Sequence, residues 1–308
     1  MAQNNFVETV IVVAGVFTVI TCVISIHHIR QHLFFNRNAQ LRNYTVRILA
    51  MVPIYGIDSV LGMLFRDKAI GFSVFRECYE SLALYSFFQY LVHCLGGKQM
   101  LAEMLRAKPQ VHHTSPFNAC LAPWAMGPQF LQHASVGILQ YVPIKLFCSL
   151  LAFICGLAGV YGAGRFDTQH AYPYIAFVVN CSQCWALYCL VLFYLGTHEE
   201  LEARNVEPLG KFLAIKLIIF FTWWQSVSIA LAVHWRLIRA EHFVTCTDST
   251  SVDCWTIDEI GESLNDVIIC CEMLGFAVAH IWVFPVPLAA AYDALGRVGL
   301  EPQGCELK

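Results

Sequence analysis

The sequence predicts an all-α, polytopic membrane protein, built as a bundle of seven transmembrane helices. Of its 308 residues, 57% are hydrophobic, and the mean hydropathy is +0.57. Only 13% are charged, which is about half of the roughly 25% usual in soluble domains. Seven apolar stretches also reach the length of about 20 residues that a helix needs to cross the hydrocarbon of a bilayer.

The composition excludes several classes of protein. A soluble enzyme of this size could not cover its surface with so few charged residues. The net charge of −3 and the pI of about 6.4 give no basic patch, so we expect no nucleic-acid partner. Most of the 14 cysteines lie within apolar runs, where they are expected to pack as small hydrophobic side chains rather than form a disulfide framework.

The seven predicted spans follow one another without an internal repeat. They cover residues 7–29, 47–65, 73–95, 134–158, 172–196, 211–233 and 262–287. The first has no cleavage signature of a signal peptide, so we expect it to remain as a span. Residues 1–290 form one predicted transmembrane domain, and residues 291–308 form a short cytosolic tail.

The distribution of lysine and arginine predicts the orientation. With the N-terminus outside, eleven basic residues fall in cytosolic segments and six in outer ones, as the positive-inside rule requires. The C-terminus is then cytosolic, and the sequon at Asn43 faces the cytosol, where it would not be glycosylated. In the last outer loop, Cys246 and Cys254 either form a disulfide or remain free thiols.

The longest cytosolic connection, residues 96–133, contains a short amphipathic segment. Its apolar and charged residues alternate with helical spacing, namely Leu101, Met104 and Leu105 beside Lys98, Glu103 and Arg106. This pattern fits a helix lying in the membrane interface. An ordinary solvated loop helix fits it equally well.

Charged residues inside the spans are costly, so they usually face the bundle interior. They are Asp58, Glu80, Lys145, Lys216, Asp266 and Glu272, joined by the uncharged Gln89, Asn180, Ser182, Gln183 and Gln225. Lys145 lies about 16 Å and Glu272 about 15 Å from the start of its span. We therefore expect each of them to have a countercharge in the bundle. Because Lys145 and Glu272 lie at similar depths, pairing with each other is one option. Lys216, about 7 Å deep, can extend to the cytosolic interface.

Asp58 and Glu80 both lie in the predicted outer half. They either repel each other, or burial keeps one of them protonated. The charged set as a whole forms either structural pairs that fix helix register or an internal polar path. Pro53 and Pro143 predict kinks within their spans.

Histidines near the predicted cytosolic face raise a metal hypothesis. They include His28 and His32, but no HxxxH pair lies within a span and no HExxH motif occurs. An intramembrane zinc hydrolase therefore remains a weak alternative. We expect no catalytic residue, no metal and no cofactor.

Several motifs in chain order resemble the transmembrane protein 184 / organic solute transporter subunit alpha family. They include residues 46–59, Cys78-Tyr79-Glu80, Gly96-Gly97, residues 127–131, residues 137–141 with Lys145, Asn180 with Ser182, Lys216, Trp224-Gln225 and Cys271-Glu272-Met273. The resemblance covers about residues 41 to 290 and is closer to the transmembrane protein 184 branch. Where the family usually carries Lys-Pro, this chain has Lys145-Leu146, with Pro143 instead. The cysteine-rich stretch that precedes Pro-Trp in the family is reduced to Cys120.

The resemblance implies a transporter, or transporter-like protein, for steroid-like or lipid-like amphipathic solutes, working by facilitated diffusion. It places the protein in the plasma membrane or in an endosomal or vacuolar membrane. The transporter branch works with a small single-span subunit, so we expect such a partner or a homo-oligomer. The substrate path would use family residues that also stand out by depth and polarity, namely Glu80, Lys145, Asn180, Lys216, Gln225 and Glu272. The alternative function is a seven-span receptor-like or scaffold protein of an endomembrane.

Overall fold

The computed structural model describes residues 2–65, 69–113, 118, 122–162, 168–204, 206–234 and 257–286. Within these ranges all the regular secondary structure is helical, as predicted. The helices are α1 (Ala2–Phe35), α2 (Ala39–Leu49), α3 (Met51–Leu64), α4 (Ala69–Cys94), α5 (Lys98–Arg106), α6 (Pro128–Leu139), α7 (Tyr141–Leu157), α8 (Tyr172–Ala203), α9 (Pro208–His234) and α10 (Ile257–Val283).

Five helical segments of the described chain are long and apolar enough to cross a membrane. They are Glu8–Phe35, Ala39–Leu64, Pro128–Leu157, Tyr172–Ala203 and Ile260–Val283. They coincide with the predicted first, second, fourth, fifth and seventh spans. The third and sixth predicted spans correspond to α4 and α9, which have 26 and 27 residues. The count of seven spans and the orientation of the termini stay predictions.

Two of the spans are each built from two successive helices. The second is interrupted at Ala50, between α2 and α3, and the fourth at Gln140, between α6 and α7. Each interruption lies three residues before Pro53 or Pro143, because proline lacks an N–H and its ring crowds the preceding turn. Each proline therefore lies one turn after a one-residue interruption, at which the backbone stays in the right-handed helical region.

The second of these breaks is held against α8 by a reciprocal pair of hydrogen bonds. Gln140 Nε2 donates to the carbonyl oxygen of Ser182 at 3.0 Å, and Ser182 Oγ donates to Gln140 Oε1 at 2.8 Å. One turn earlier, Gly137 brings α6 close to α8. A Cβ at Gly137 would overlap Cys189 Sγ and lie 3.2 Å from Trp185 Nε1.

Helix α4 lies at the centre of the bundle and packs against α2, α3 and α5 to α9. Its fully buried aromatic rings anchor the main core; the ring centroids of Phe88 and Phe193, for example, are 5.0 Å apart. Large apolar side chains also cover the outside of the bundle, where Phe147 is 67% and Phe177 71% exposed. An apolar exterior around a partly polar interior is the distribution that a bilayer, rather than water, stabilises.

One face of α1 carries a buried polar stripe that the sequence analysis did not identify. Its members repeat every three or four residues: Thr18, Thr21, Ser25, His28 and His32. The stripe faces α3 and α10. His28 Nε2 and His32 Nε2 each donate to the carbonyl oxygen of Phe284 at 3.0 Å. Phe284 directly follows the last residue of α10, so α1 caps the C-terminal end of that helix.

Helix α5 forms at the predicted amphipathic segment. Leu101 and Leu105 are fully buried against the core, and a turn through Gly96 and Gly97, both with positive φ, joins α4 to α5. Some predictions concern residues outside the described ranges, namely Cys120, the Cys246–Cys254 pair and the tail 291–308.

Candidate functional site: a polar cluster inside the helix bundle

The polar cluster is built on one end of the central helix α4. Arg76, Glu77 and Glu80 lie within slightly more than one helical turn, so they point to neighbouring sides of α4. Because α4 is surrounded by other helices, these side chains meet groups from α3, α7, α8 and α10. The polar groups fall into two parts, the Arg76 cluster and the Glu80 cluster.

The Arg76 cluster joins three helices. Arg76 Nη1 lies 3.4 Å from Asp58 Oδ2 and 3.9 Å from Asp266 Oδ1, and it donates to Ser59 Oγ at 3.3 Å. The guanidinium also lies 5.8 Å from the ring centroid of the buried Tyr55. The sequence left open whether Asp58 and Glu80 repel each other or whether burial keeps one of them protonated. In the structure Asp58 is paired with Arg76, a cation that the sequence placed on the outer side, so Asp58 has a countercharge that neither alternative included.

The Glu80 cluster holds a buried carboxylate between two neutral donors. Glu80 is 9% exposed. Tyr141 Oη donates to Glu80 Oε1 at 3.4 Å, and Gln183 Nε2 donates to the same oxygen at 3.3 Å. Lys216 on α9 lies close enough for its charge to interact with that of Glu80 and of Lys145. This places it near the Glu80 cluster, and its predicted reach to the cytosolic interface stays a prediction.

Lys145 finds a countercharge, but not the expected one. Its Nζ lies 3.2 Å from Glu77 Oε2, which also accepts a hydrogen bond from Ser149 at 3.2 Å. Pairing with Glu272 is ruled out because α7 packs against α4, α6 and α8, whereas α10 packs against α1, α3 and α9. The pair is asymmetric: the side chain of Lys145 is 10% exposed and that of Glu77 is 49% exposed. The carboxylate that pairs with the buried ammonium therefore lies partly at the surface of the bundle.

The other predicted path residues lie apart from the cluster. Asn180 is exposed and donates to the carbonyl oxygen of Ala176 on its own helix at 2.7 Å. Gln225 on α9 and Glu272 on α10 each carry buried side-chain polar atoms that have no hydrogen-bond partner among the described residues. An aromatic contact one turn away, between Phe221 and Phe276, joins the two helices. The structure therefore brings together Glu80, Lys145 and Lys216, and leaves Asn180, Gln225 and Glu272 elsewhere.

Sequence reasoning missed Arg76 and Glu77 as members of this site. Both lie near the beginning of the third predicted span, where charges are readily assigned to a loop. The spacing of Glu77 and Glu80, three residues apart, and of Arg76 and Glu80, four apart, was the available signal. Of the residues named earlier only as polar candidates, Asp58, Gln183 and Asp266 take part.

In chemical terms the cluster places acidic and basic groups and neutral donors within a mostly apolar bundle. Among the described residues, no three His, Cys, Asp or Glu side chains are arranged to hold a metal ion. The histidines behind the zinc alternative make helix contacts instead, since His28 and His32 bond Phe284. The described part of the chain gives that alternative no support.

Beyond the cluster, Lys108 fastens the connection after α5 to the end of α8. Its Nζ lies 2.7 Å from Glu200 Oε2 and 3.2 Å from Glu199 Oε2. Burial lowers the pKa of Lys108, but the hydrogen bonds to Glu200 and Glu199 outweigh this effect and raise the pKa above its ordinary value.

Comparison with known proteins gives a consistent result. The family model described as organic solute transporter Ostalpha matches residues 10–287. Protein LAZ1 homolog 1 of Arabidopsis thaliana is 35% identical over 299 residues, which cover 92% of this chain and 58% of the relative. Protein LAZ1 homolog 2 of the same plant is 35% identical over 289 residues, with coverages of 89% and 67%. Protein LAZ1 is 36% identical over 299 residues, with coverages of 92% and 58%.

The chain therefore spans only about 58% of the length of two of these relatives. No solved structure matches it.

Proposed function

The chain belongs to the organic solute transporter Ostalpha family, and we propose that it carries amphipathic organic solutes across its membrane by facilitated diffusion. The membership predicted from the motifs is confirmed, and the LAZ1 relatives agree with the transmembrane protein 184 branch. The protein is a transporter-like integral membrane protein. The nature of the solute, steroid-like or lipid-like, is the finer part of the proposal.

One observation carries the proposal: a buried ammonium, that of Lys145, reached beside an apolar outer surface. Next to it on α7, Leu146 is 56% and Phe147 67% exposed. An amphipathic anion could lie with its apolar body along this surface and its anionic group at Lys145. It would then take the place of the half-exposed Glu77 carboxylate. Moving from a paired ion to another anion avoids leaving the ammonium unpaired in a low-dielectric interior.

The path would continue from Lys145 to Glu80 and Lys216. Glu80 accepts from Tyr141 and Gln183, so neutral donors hold its carboxylate in place, and Lys216 is the cation that the anionic group would reach next. Asn180, Gln225 and Glu272 remain members of the proposed path at its more distant parts. Gln225 and Glu272 support this because their buried polar atoms have no partner among the described residues, and a passing polar solute would supply one.

The setting of this activity is also proposed. It comprises seven spans with the N-terminus outside, a plasma, endosomal or vacuolar membrane, and a small single-span subunit or second copy as partner. The lengths of α4 and α9, 26 and 27 residues, support the two additional spans. A facilitated diffusion step needs no cofactor and breaks no covalent bond.

The test is flux into vesicles that contain the purified protein. Labelled steroid sulfates, bile acids and lysolipids would be offered to the wild type, to Lys145→Met and to Glu80→Gln. The matched control is Glu202→Gln, since Glu202 is an exposed acid at the end of α8. We expect saturable flux that both cluster variants abolish and the control retains.

Flux that is unchanged in folded Lys145→Met and Glu80→Gln would refute the path. Saturable binding without flux, in the presence of any co-purifying subunit, would instead favour the receptor-like or scaffold alternative.

A further inference from the structure

A cavity of about 470 Å³ lies between α5 and α6, away from the polar cluster. On α5 its lining residues follow helical spacing and include Lys98, Glu103 and Arg106. On α6 they include Leu131 and Ser135, and Phe88 of the central helix closes the floor. Two facing helix surfaces and an aromatic side chain therefore form a partly open recess.

The recess has an excess of positive charge. Lys98 and Arg106 contribute two cations and Glu103 one anion. Within the described part of the chain, neither cation lies within ion-pairing distance of a carboxylate. The aliphatic stem of Arg106 lies against Gly127, where a Cβ would come within 2.7 Å of Arg106 Cγ. The side chain of Arg106 therefore packs on Gly127, where any larger residue would clash with it.

The remaining lining separates a polar end from an apolar one. Gln99 and Gln132 add neutral donors near the cations. Toward α7, Val136 lines the cavity and is itself 58% exposed, and Leu139 beyond it is 42% exposed. Both lie on Pro128–Leu157, one of the helical segments able to cross a membrane. The apolar end of the recess therefore lies on the exposed face of a helical segment able to cross a membrane.

We infer that this recess is a binding site for an anionic phospholipid of the adjacent leaflet. Its headgroup would lie between Lys98 and Arg106, and its acyl chains would run along Val136 and Leu139. Arginine and lysine bind phosphate oxygens through charge-assisted hydrogen bonds, which are among the stronger ones. Basic groups beside a membrane interface are also where anionic headgroups concentrate. A soluble anion would use the same cations but not the apolar opening, and so the observations favour the lipid.

The inference is independent of solute transport and can be tested by binding alone. Short-chain dioctanoyl phosphatidylserine and dioctanoyl phosphatidylcholine would be titrated into the protein purified in neutral detergent. We expect saturable binding of the anionic lipid. The Lys98→Gln/Arg106→Gln variant should bind it about tenfold more weakly or worse, because charge-assisted bonds to the headgroup are lost.

The matched control is Arg30→Gln/Arg37→Gln. It removes the same charge from exposed positions at the end of α1 and just after it, on the same predicted side of the membrane, and should bind like the wild type. Ser135→Phe fills the cavity without changing its charge and should also abolish binding. Thermal unfolding of each variant establishes that it is folded.

Three outcomes would overturn the inference. The first is equal weakening in the control and in the cavity variant, which would indicate general surface charge. The second is undiminished binding in folded Ser135→Phe. The third is binding of glycerophosphoserine, which has the headgroup without the chains, as tightly as the lipid; the ligand would then be a soluble anion.

Discussion

The Arg76 cluster predicts a large loss of stability when its single cation is removed. In Arg76→Met, the Asp58 and Asp266 carboxylates remain near each other without their shared partner. At an effective dielectric constant of about 20, ion separations of 3.4 and 3.9 Å correspond to attractions of about 5 and about 4 kcal/mol. Desolvation of the ions offsets part of this. The usual cost of removing one partner of a buried pair is about 3–5 kcal/mol, and we expect a loss in that range.

Thermal unfolding of the purified protein in detergent measures this loss. A destabilisation of this size lowers Tm by on the order of 10 °C. The second variant, Arg76→Met/Asp58→Asn, removes the most buried carboxylate, whose side chain is 5% exposed, and should recover about half of the loss. Arg30→Met is the control, because Arg30 is exposed, and should unfold like the wild type.

A Tm of Arg76→Met within about 2 °C of wild type would refute the reasoning, since it would mean that the two carboxylates do not need the cation. Failure of the Asp58→Asn change to restore stability would refute it as well. In that case the guanidinium would act through packing on Tyr55 rather than through charge.

Three further predictions concern helix packing, the ion pairs of Lys108 with the end of α8, and topology. Gly137→Ala should lower the free energy of unfolding by about 1–3 kcal/mol through the clash with α8. The control Gly275→Ala should not lower it, because nothing lies within 4 Å of a Cβ at that position. Equal Tm values for the two variants would contradict this prediction. Lys108→Gln should cost up to about 1 kcal/mol at pH 7. Because the folded pKa of Lys108 is raised, its contribution is full below the ordinary value and is lost as pH rises through the folded pKa. The difference in unfolding midpoint between the wild type and Lys108→Gln should therefore shrink in strongly alkaline buffer. A difference that grows with pH would count against a stabilising role of these ion pairs. Thr247→Asn creates a sequon in the last predicted outer loop, so the variant should carry a glycosidase-sensitive glycan that is visible on gels. The native sequon at Asn43 should stay unmodified. A glycan at Asn43 would mean that the predicted orientation is reversed.

The sequence was sufficient for helical class, for most span positions and for the helix at α5, because these depend on local hydropathy and period. It also identified Lys145 as a buried ion that needs a countercharge, since depth along a helix follows from residue number. It did not identify the partner. The direction in which a side chain points around its helix depends on which helices are neighbours, and only the fold places α7 beside α4 and α10 beside α1. For the same reason Glu77, rather than Glu272, pairs with Lys145.

Span ends were predicted less well than span centres. Pro128–Leu157 begins six residues before the predicted 134, and Glu8–Phe35 extends six residues beyond the predicted 29. In the first span the polar residues His28 and His32 lie within the helix and are satisfied by contacts with Phe284 at the end of another helix. Hydropathy alone treats such residues as the end of a span.

The capping of Phe284 by the two histidines of α1 has a consequence for how the protein is made. The carbonyl that accepts from His28 lies 256 residues further along the chain. At about 5–20 residues per second, the ribosome needs on the order of 10–50 s to produce it. During that time α1 is already synthesised, with a polar stripe that has Gly56 as an early acceptor for Thr18 but none yet for its imidazoles. We therefore expect these imidazoles, which lie near the predicted cytosolic face, to stay hydrated until the last helix arrives, so that assembly of the bundle ends where its synthesis began.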